Sequence, residues 1–191
     1  MLSRYQIRIK VFHCLYATSI SKNSEKEWET CFNSYLGLYD FYLRILVFLK
    51  KRAELEIDLG LNKKQPNYLD LNPNKKFANN LILEKIEKEL YNESFQEEHL
   101  KLLSKNILSQ IKEKEYFKTY MKLEGNNIED DQKIITKILK KDILSNDNVI
   151  ELLEEKSIYW NDDITSAYNL FVYKNSKNNI IKKQEGFTKI S

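Results

Sequence analysis

The chain has 191 residues, of which 42% are hydrophobic and 31% charged, a balance typical of a globular protein rather than a disordered one. Its 31 basic and 28 acidic residues give a net charge of only +3. Any affinity for nucleic acid must therefore come from a local basic patch rather than from the overall charge. Four glycines and two prolines are too few for the frequent turns of a β-sandwich or barrel.

The first predicted helix runs from Ser3 to about Thr18. Its apolar residues fall at helical spacing, which indicates one buried stripe made of Ile7, Val11, Cys14 and Leu15. The sequence before and after this helix has neither a continuous apolar segment nor a small-residue cleavage site, and no apolar run approaches the roughly 20 residues of a membrane span. We therefore expect a chain that is neither secreted nor membrane-spanning.

The same helix carries the candidate RNA-binding residues. Arg4 and Arg8 form an i,i+4 pair, and their ridge continues into Phe12 and Tyr16. Two guanidinium groups that lead an aromatic row can follow a phosphate backbone and stack an unpaired base. The alternative is an amphipathic helix whose arginines extend over the edge of the core. Lys10 is a weaker RNA-binding candidate, because we expect it on the opposite, polar side of the helix.

A much longer helix is predicted after a polar link at residues 19–24. Ser24 and Glu27 form a capping box at its start. Apolar residues then recur in alternating steps of three and four, and they are Trp28, Phe32, Tyr35, Tyr39, Tyr42, Leu46 and Leu49. This pattern predicts a helix to about Asp58 whose aromatic stripe lies in a bundle core rather than around a cofactor. Gly37 indicates a close contact with another helix.

The rest of the chain is predicted as one loop followed by shorter helices. The loop, at about residues 60–76, contains both prolines. The later helices are predicted from about Lys76 to Tyr91, after a Ser94–Glu97 capping box, over Tyr116–Met121, around Ile134–Leu139 and Val149–Leu153, and from about Asp162 to Tyr173. We therefore expect residues 1–173 to form an all-α bundle with one long aromatic-rich helix, and residues 174–191 to form a frayed, polar tail.

Residues that support catalysis are scarce. Cys14 and Cys31 lack further ligands at zinc-site spacing, so we expect two buried thiols on separate helices of a cytoplasmic protein. No dinucleotide-binding, P-loop, zinc-protease or serine-hydrolase motif occurs. His13 and His99 are expected at the surface, and the acidic pairs 130–131 and 162–163 at helix starts, where they favour the helix dipole. We expect no enzyme and no cofactor or metal.

Several segments, taken in chain order, resemble one known family. The first reads LSRYQIRIKV and continues to Leu-Tyr-Ala at 15–17. The others are residues 39–43, 70–77, 116–121 and 153–163. Together they cover nearly the whole chain and resemble the NusB transcription antitermination factors, most closely the extended version found in Bacteroidetes-type bacteria.

The resemblance implies a function as well as a helical fold. NusB proteins pair with the ribosomal protein NusE, and the pair binds boxA-type single-stranded RNA. In the transcription elongation complex this suppresses termination of ribosomal RNA operons. For this chain the resemblance implies RNA contacts by Arg4 and Arg8, a core position for Leu15 and a position beside the RNA for Tyr16.

The chain also departs from the family pattern. Tyr5 and Gln6 stand where the family commonly has basic residues, which reduces the expected phosphate contacts. Nothing after Lys174 resembles the family's second helical bundle, so the chain resembles a shortened NusB. The alternative is a helical protein–protein interaction module that has lost RNA binding. Such a module would use the stripe from Trp28 to Leu49 to bind a partner or to self-associate.

Overall fold

The computed structural model describes residues 4–20, 24–90, 98–125 and 127–187, with the backbone alone for residues 24 and 177–187. Its helices are α1 (Arg4–Ile20), α2 (Ser24–Leu61), α3 (Tyr68–Leu71), α4 (Leu81–Glu89), α5 (Glu98–Glu113), α6 (Glu115–Met121), α7 (Ile128–Ile138), α8 (Asp147–Lys156) and α9 (Trp160–Phe187). A π-helical turn, Leu139–Ile143, continues α7. No strand occurs within the described ranges, which confirms the predicted all-α class. None of these helices combines the length and apolar character that crossing a membrane requires.

The chain divides into two compact units. Unit 1 comprises the described residues up to Phe41 and from Ile150 onward. Unit 2 runs from Tyr42 to Val149. Helix α2 contributes its residues up to Phe41 to unit 1 and those from Tyr42 onward to unit 2.

The aromatic stripe of α2 is core, as predicted. Leu38, Tyr42, Leu46 and Leu49 are completely buried. The first three members of the stripe, Trp28, Phe32 and Tyr35, are half-buried. The helix also continues through Gly60 to Leu61, past its predicted end at Asp58.

In unit 1 the indole of Trp160 packs on Gly37. A Cβ atom at Gly37 would lie 3.4 Å from Cζ2 of Trp160, at van der Waals contact, so the ring lies directly against this part of α2. The rings of Trp160 and Phe41 are 5.3 Å apart between centroids and tilted, a favourable aromatic arrangement. The close helix contact predicted at Gly37 is confirmed, and it fixes the start of α9 against α2.

The predicted loop at 60–76 in unit 2 contains a short capped helix. The side chain of Asn67 accepts a hydrogen bond from the Asp70 amide at 2.8 Å, and the Asp70 carboxylate accepts one from the Asn67 amide at 3.0 Å. Helix α4 begins at Leu81 rather than near Lys76, because the Asn80 side chain caps it by accepting hydrogen bonds from the amides of Ile82 and Leu83. The predicted Ser94–Glu97 capping box and the Ser24 side chain lie outside the described residues.

A buried carboxylate joins α4, α6 and α7 in unit 2. Asp131 is fully buried, although its position near a helix start predicted only an interaction with the helix dipole. It accepts hydrogen bonds from the Leu81 amide at 2.8 Å and from the Tyr120 hydroxyl at 2.7 Å. The charge is therefore held at the N-terminus of α4, where the dipole favours an anion.

The C-terminal segment is helical further than predicted. The backbone of α9 continues past Tyr173 to Phe187, into the segment expected as a polar tail. The few remaining residues lie outside the described ranges. The Asn/Lys-rich composition of this segment hides helical periodicity, so no apolar spacing indicated that the helix extends beyond Tyr173.

Candidate nucleic-acid interface

One continuous row of side chains on α1 points to solvent. The row, here called the α1 ridge, consists of Arg4, Arg8, Phe12, Tyr16 and Ile20 at i,i+4 spacing. All five residues are exposed, with Phe12 at 68% and Tyr16 at 65% of their full accessible area. Exposed aromatic rings in line with two guanidinium groups form the surface that the sequence predicted.

The charges at the start of the α1 ridge are available to a ligand. Among the residues that the structure describes, neither Arg4 nor Arg8 has an ion-pair or hydrogen-bond partner. An exposed guanidinium offers five donors in a planar fork that matches phosphate geometry. Both residues therefore lie where the sequence placed them, on one face of α1.

The buried stripe of α1 differs from the predicted one. Cys14 is fully buried and Val11 is half-buried, in line with the helical spacing. Ile7 and Leu15 are exposed, Leu15 at 57%, so the core position that the resemblance implied for Leu15 is wrong. The buried residues of α1 are instead Lys10 and Cys14. Lys10 can be buried because Asp163 and Ser34 of unit 1 bind its ammonium group.

Lys10 is the main correction among the predicted RNA-binding residues. Its side chain is buried, not on the polar side of the helix. The ammonium nitrogen lies 2.7 Å from Oδ2 of Asp163 and 2.6 Å from Oγ of Ser34. A buried charge is tolerated only when it is paired and hydrogen-bonded, and this arrangement satisfies both conditions. Lys10 therefore positions α1 and is not open to a phosphate.

The two cysteines lie beside this ion pair. Cys14 on α1 and Cys31 on α2 are free and fully buried, which confirms the predicted pair of buried thiols on separate helices. Burial, followed by the neighbouring Cys14 thiol, raises the pKa of Cys31 to about 12. The thiol of Cys31 therefore stays protonated near neutral pH, a state that is neither nucleophilic nor metal-binding.

A cleft of about 460 Å³ lies between α1 and α9, next to the α1 ridge. Its α1 side is formed by Tyr5, Gln6, Ile9, Lys10 and His13, and its α9 side by Asp162, Asp163, Thr165, Ser166 and Asn169. At the rim, Nδ1 of His13 lies 3.5 Å from Oδ2 of Asp162. His13 is thus paired at the edge of the cleft, whereas His99 is exposed as expected.

An apolar groove of about 420 Å³ borders the other end of α1. Ala17 and Ile20 form one side, and Ile158 and Tyr159 form the other. The Tyr159 hydroxyl donates a hydrogen bond to Glu27, and burial together with this carboxylate raises the pKa of the phenol. The groove therefore has a fixed aromatic wall, and polar groups of His13, Glu27 and Asp162 also line it.

Comparison with known proteins does not assign this surface. The chain matches no protein-family model, no curated protein and no solved structure. Over the described ranges, no group of three or more His, Cys, Asp or Glu side chains is arranged to hold a metal ion. The interface is characterised by its own geometry, which consists of a cationic and aromatic ridge with a cleft on one side.

Proposed function

We propose that this protein is a non-catalytic, RNA-binding antitermination factor of the NusB type. In this role it acts with the ribosomal protein NusE on boxA-type single-stranded RNA of ribosomal RNA operons, within the transcription elongation complex. The observation that carries the proposal is the α1 ridge, in which exposed arginines lead exposed aromatic rings. The five segments that resemble NusB support the choice of this RNA and this partner.

The dimensions of the α1 ridge suit a single strand. Four residues of an α-helix rise about 6 Å, so Arg4 and Tyr16 are separated by about 18 Å along the axis. At about 3.4 Å per stacked nucleotide, that distance accommodates about five nucleotides. Each base stacked on an aromatic ring contributes about 1–3 kcal/mol without demanding a particular sequence. The arginines then supply the contacts to the backbone phosphates.

The arginine contacts are tested by the salt dependence of binding. Each phosphate contact on a single strand contributes about 0.7 to the slope of log K against log salt concentration. We expect Arg8→Ala to flatten that slope by about 0.7 in a fluorescence titration with a boxA-type RNA. Lys26→Ala is the matched control, because Lys26 is an exposed cation of unit 1 that lies outside the α1 ridge. An unchanged slope in Arg8→Ala removes Arg8 from the phosphate contacts.

A second candidate is supported by a different surface. The groove lined by Ile20 and Ile158 is apolar and open, as a protein–protein interaction module requires. In that case the purified chain self-associates or binds a protein partner there, without RNA. Sedimentation at tens of micromolar distinguishes the two candidates, because a clean monomer counts against self-association.

A further inference from the structure

We propose that the apolar groove between the end of α1 and the segment before α9 binds a basic amphipathic helix of a protein partner. This inference rests on the second candidate function, and it names the class of partner that the groove fits. The groove encloses about 420 Å³ within unit 1, and Ile20 and Ile158 are among its lining residues. A helix that lays apolar side chains into such a groove is a common form of peptide recognition.

Large apolar side chains around the groove are exposed to solvent. Ile158 is 81% exposed and Ile20 is 68% exposed, and Tyr16 lines the same groove. With Phe12, the next residue of the α1 ridge, their exposed parts amount to roughly 500 Å² at about 150–250 Å² for a large side chain. Exposed apolar patches larger than a few hundred Å² mark interaction sites in soluble proteins. As one side of an interface this area is at the lower end for specific complexes, so we expect a dissociation constant in the micromolar range.

The aromatic wall of the groove is held in place by contacts with α2. The Tyr159 hydroxyl donates a hydrogen bond to Glu27 on α2. The next residue, Trp160, packs against Gly37 of the same helix. A partner therefore finds the wall already formed and does not have to order it. Such preorganisation lowers the entropy cost of binding.

The charged groups that line the groove favour a cationic partner. The Glu27 carboxylate is bound by the Tyr159 hydroxyl, which does not neutralise its charge. The Asp162 side chain is 63% exposed, and the imidazole of His13 at 3.5 Å adds a positive charge only when it is protonated. Among the described residues that line the groove there is neither lysine nor arginine. These carboxylates are complementary to a partner that carries lysine or arginine beside its apolar residues.

The acidic surface continues from the groove onto the end of α8. Glu154 accepts a hydrogen bond from the Asn161 side chain at 3.0 Å, which places its carboxylate beside the start of α9. The ammonium group of Lys156, near the end of the same helix, lies 5.6 Å from the centroid of the Phe41 ring on α2. A helix with lysines on the flanks of an apolar row therefore meets carboxylates along this side, whereas an acidic helix is repelled.

The test uses the full chain and two fluorescent peptides of about 18 residues, long enough to form a helix. Both carry leucine at i, i+3, i+4 and i+7, and the flanking positions are lysine in one peptide and glutamate in the other. By fluorescence anisotropy, we expect the lysine peptide to bind at least tenfold more tightly than the glutamate peptide. Ile158→Lys should weaken binding of the lysine peptide at least tenfold, and the exposed side chain can be replaced without loss of the fold. Leu102→Lys is the matched control, because it introduces the same charge at a 63% exposed leucine of α5, outside the groove.

Each outcome decides the proposal. Binding of the lysine peptide that is lost in Ile158→Lys and kept in Leu102→Lys supports it. No binding to the unmodified chain, equal binding of the two peptides, or unchanged binding to Ile158→Lys overturns it. Sedimentation of the chain alone tests the other occupant: a dimer that Ile158→Lys dissociates would show that a second copy fills the groove, which overturns the basic helix and leaves the second candidate function standing. No RNA is present, so RNA binding by the α1 ridge stands or fails separately.

Discussion

Replacing Lys10 by methionine tests how α1 is held in unit 1. Methionine keeps most of the aliphatic stem but removes the ammonium group, which lies 2.7 Å from the Asp163 carboxylate. The two side chains are 5% and 3% exposed, so the carboxylate would remain buried without a cation. Loss of one partner from such a buried pair costs about 3–5 kcal/mol. For a chain of this length that corresponds to a fall in melting temperature of roughly 10 °C.

The assay is urea and thermal denaturation followed by far-UV circular dichroism. The double variant Lys10→Met/Asp163→Leu should be less destabilised than Lys10→Met alone, because no unpaired charge is left inside. Lys133→Met is the control, since Lys133 is 75% exposed in its ion pair with Asp130 and such surface pairs contribute about 0–1 kcal/mol. A loss below 1 kcal/mol for Lys10→Met would refute the reasoning, because it would mean that the Asp163 carboxylate reaches water.

Three further predictions concern individual side chains. Tyr42→Phe should raise the free energy of unfolding by about 1 kcal/mol, because the buried Tyr42 hydroxyl has no partner among the described residues; a clear loss in urea denaturation would reveal one. Gly37→Ala should stabilise the chain by about 0.5–1 kcal/mol through helix propensity, since its Cβ only touches Trp160, whereas Gly37→Leu should collide with the indole and lower the melting temperature. The pKa of Cys31 is raised from 9.0 to about 12, so above about pH 9 the folded state keeps a proton that the unfolded state loses. The contribution of Cys31 to the free energy of unfolding should therefore be constant below about pH 9. Above that pH it should fall by up to about 1.4 kcal/mol per pH unit. The Cys31→Ala variant should show a shallower alkaline decline, and an identical decline would contradict the assignment.

Local periodicity predicted most of the fold. The three-and-four spacing of α2 located the core residues Tyr42, Leu46 and Leu49, and it depends only on neighbours along one helix. Asn80 shows where this approach fails. The residue looks like part of a continuing helix, yet its side chain caps α4 and joins the Tyr120–Asp131 network. That role is set by partners distant in sequence, so periodicity cannot predict it.

The candidate interface was predictable only in part, for the same reason. Arg4, Arg8 and Tyr16 lie on an exposed ridge, as helix geometry required. Lys10 was misplaced because its partner Asp163 lies 153 residues away in the chain. The cleft was missed entirely, although the i,i+4 series Tyr5–Ile9–His13 beside the α1 ridge was visible in the sequence. A polar α9 wall carries no signal until the two helices are placed together.

The central claim is that the α1 ridge binds boxA-type RNA with the help of a ribosomal partner. The most direct measurement titrates the purified chain with a short fluorescent boxA-type RNA, with and without NusE, at two salt concentrations. We predict binding that weakens at higher salt, tightens when NusE is added and is reduced in Arg8→Ala. No binding in any arm, from a chain shown to be helical by circular dichroism, would contradict the account.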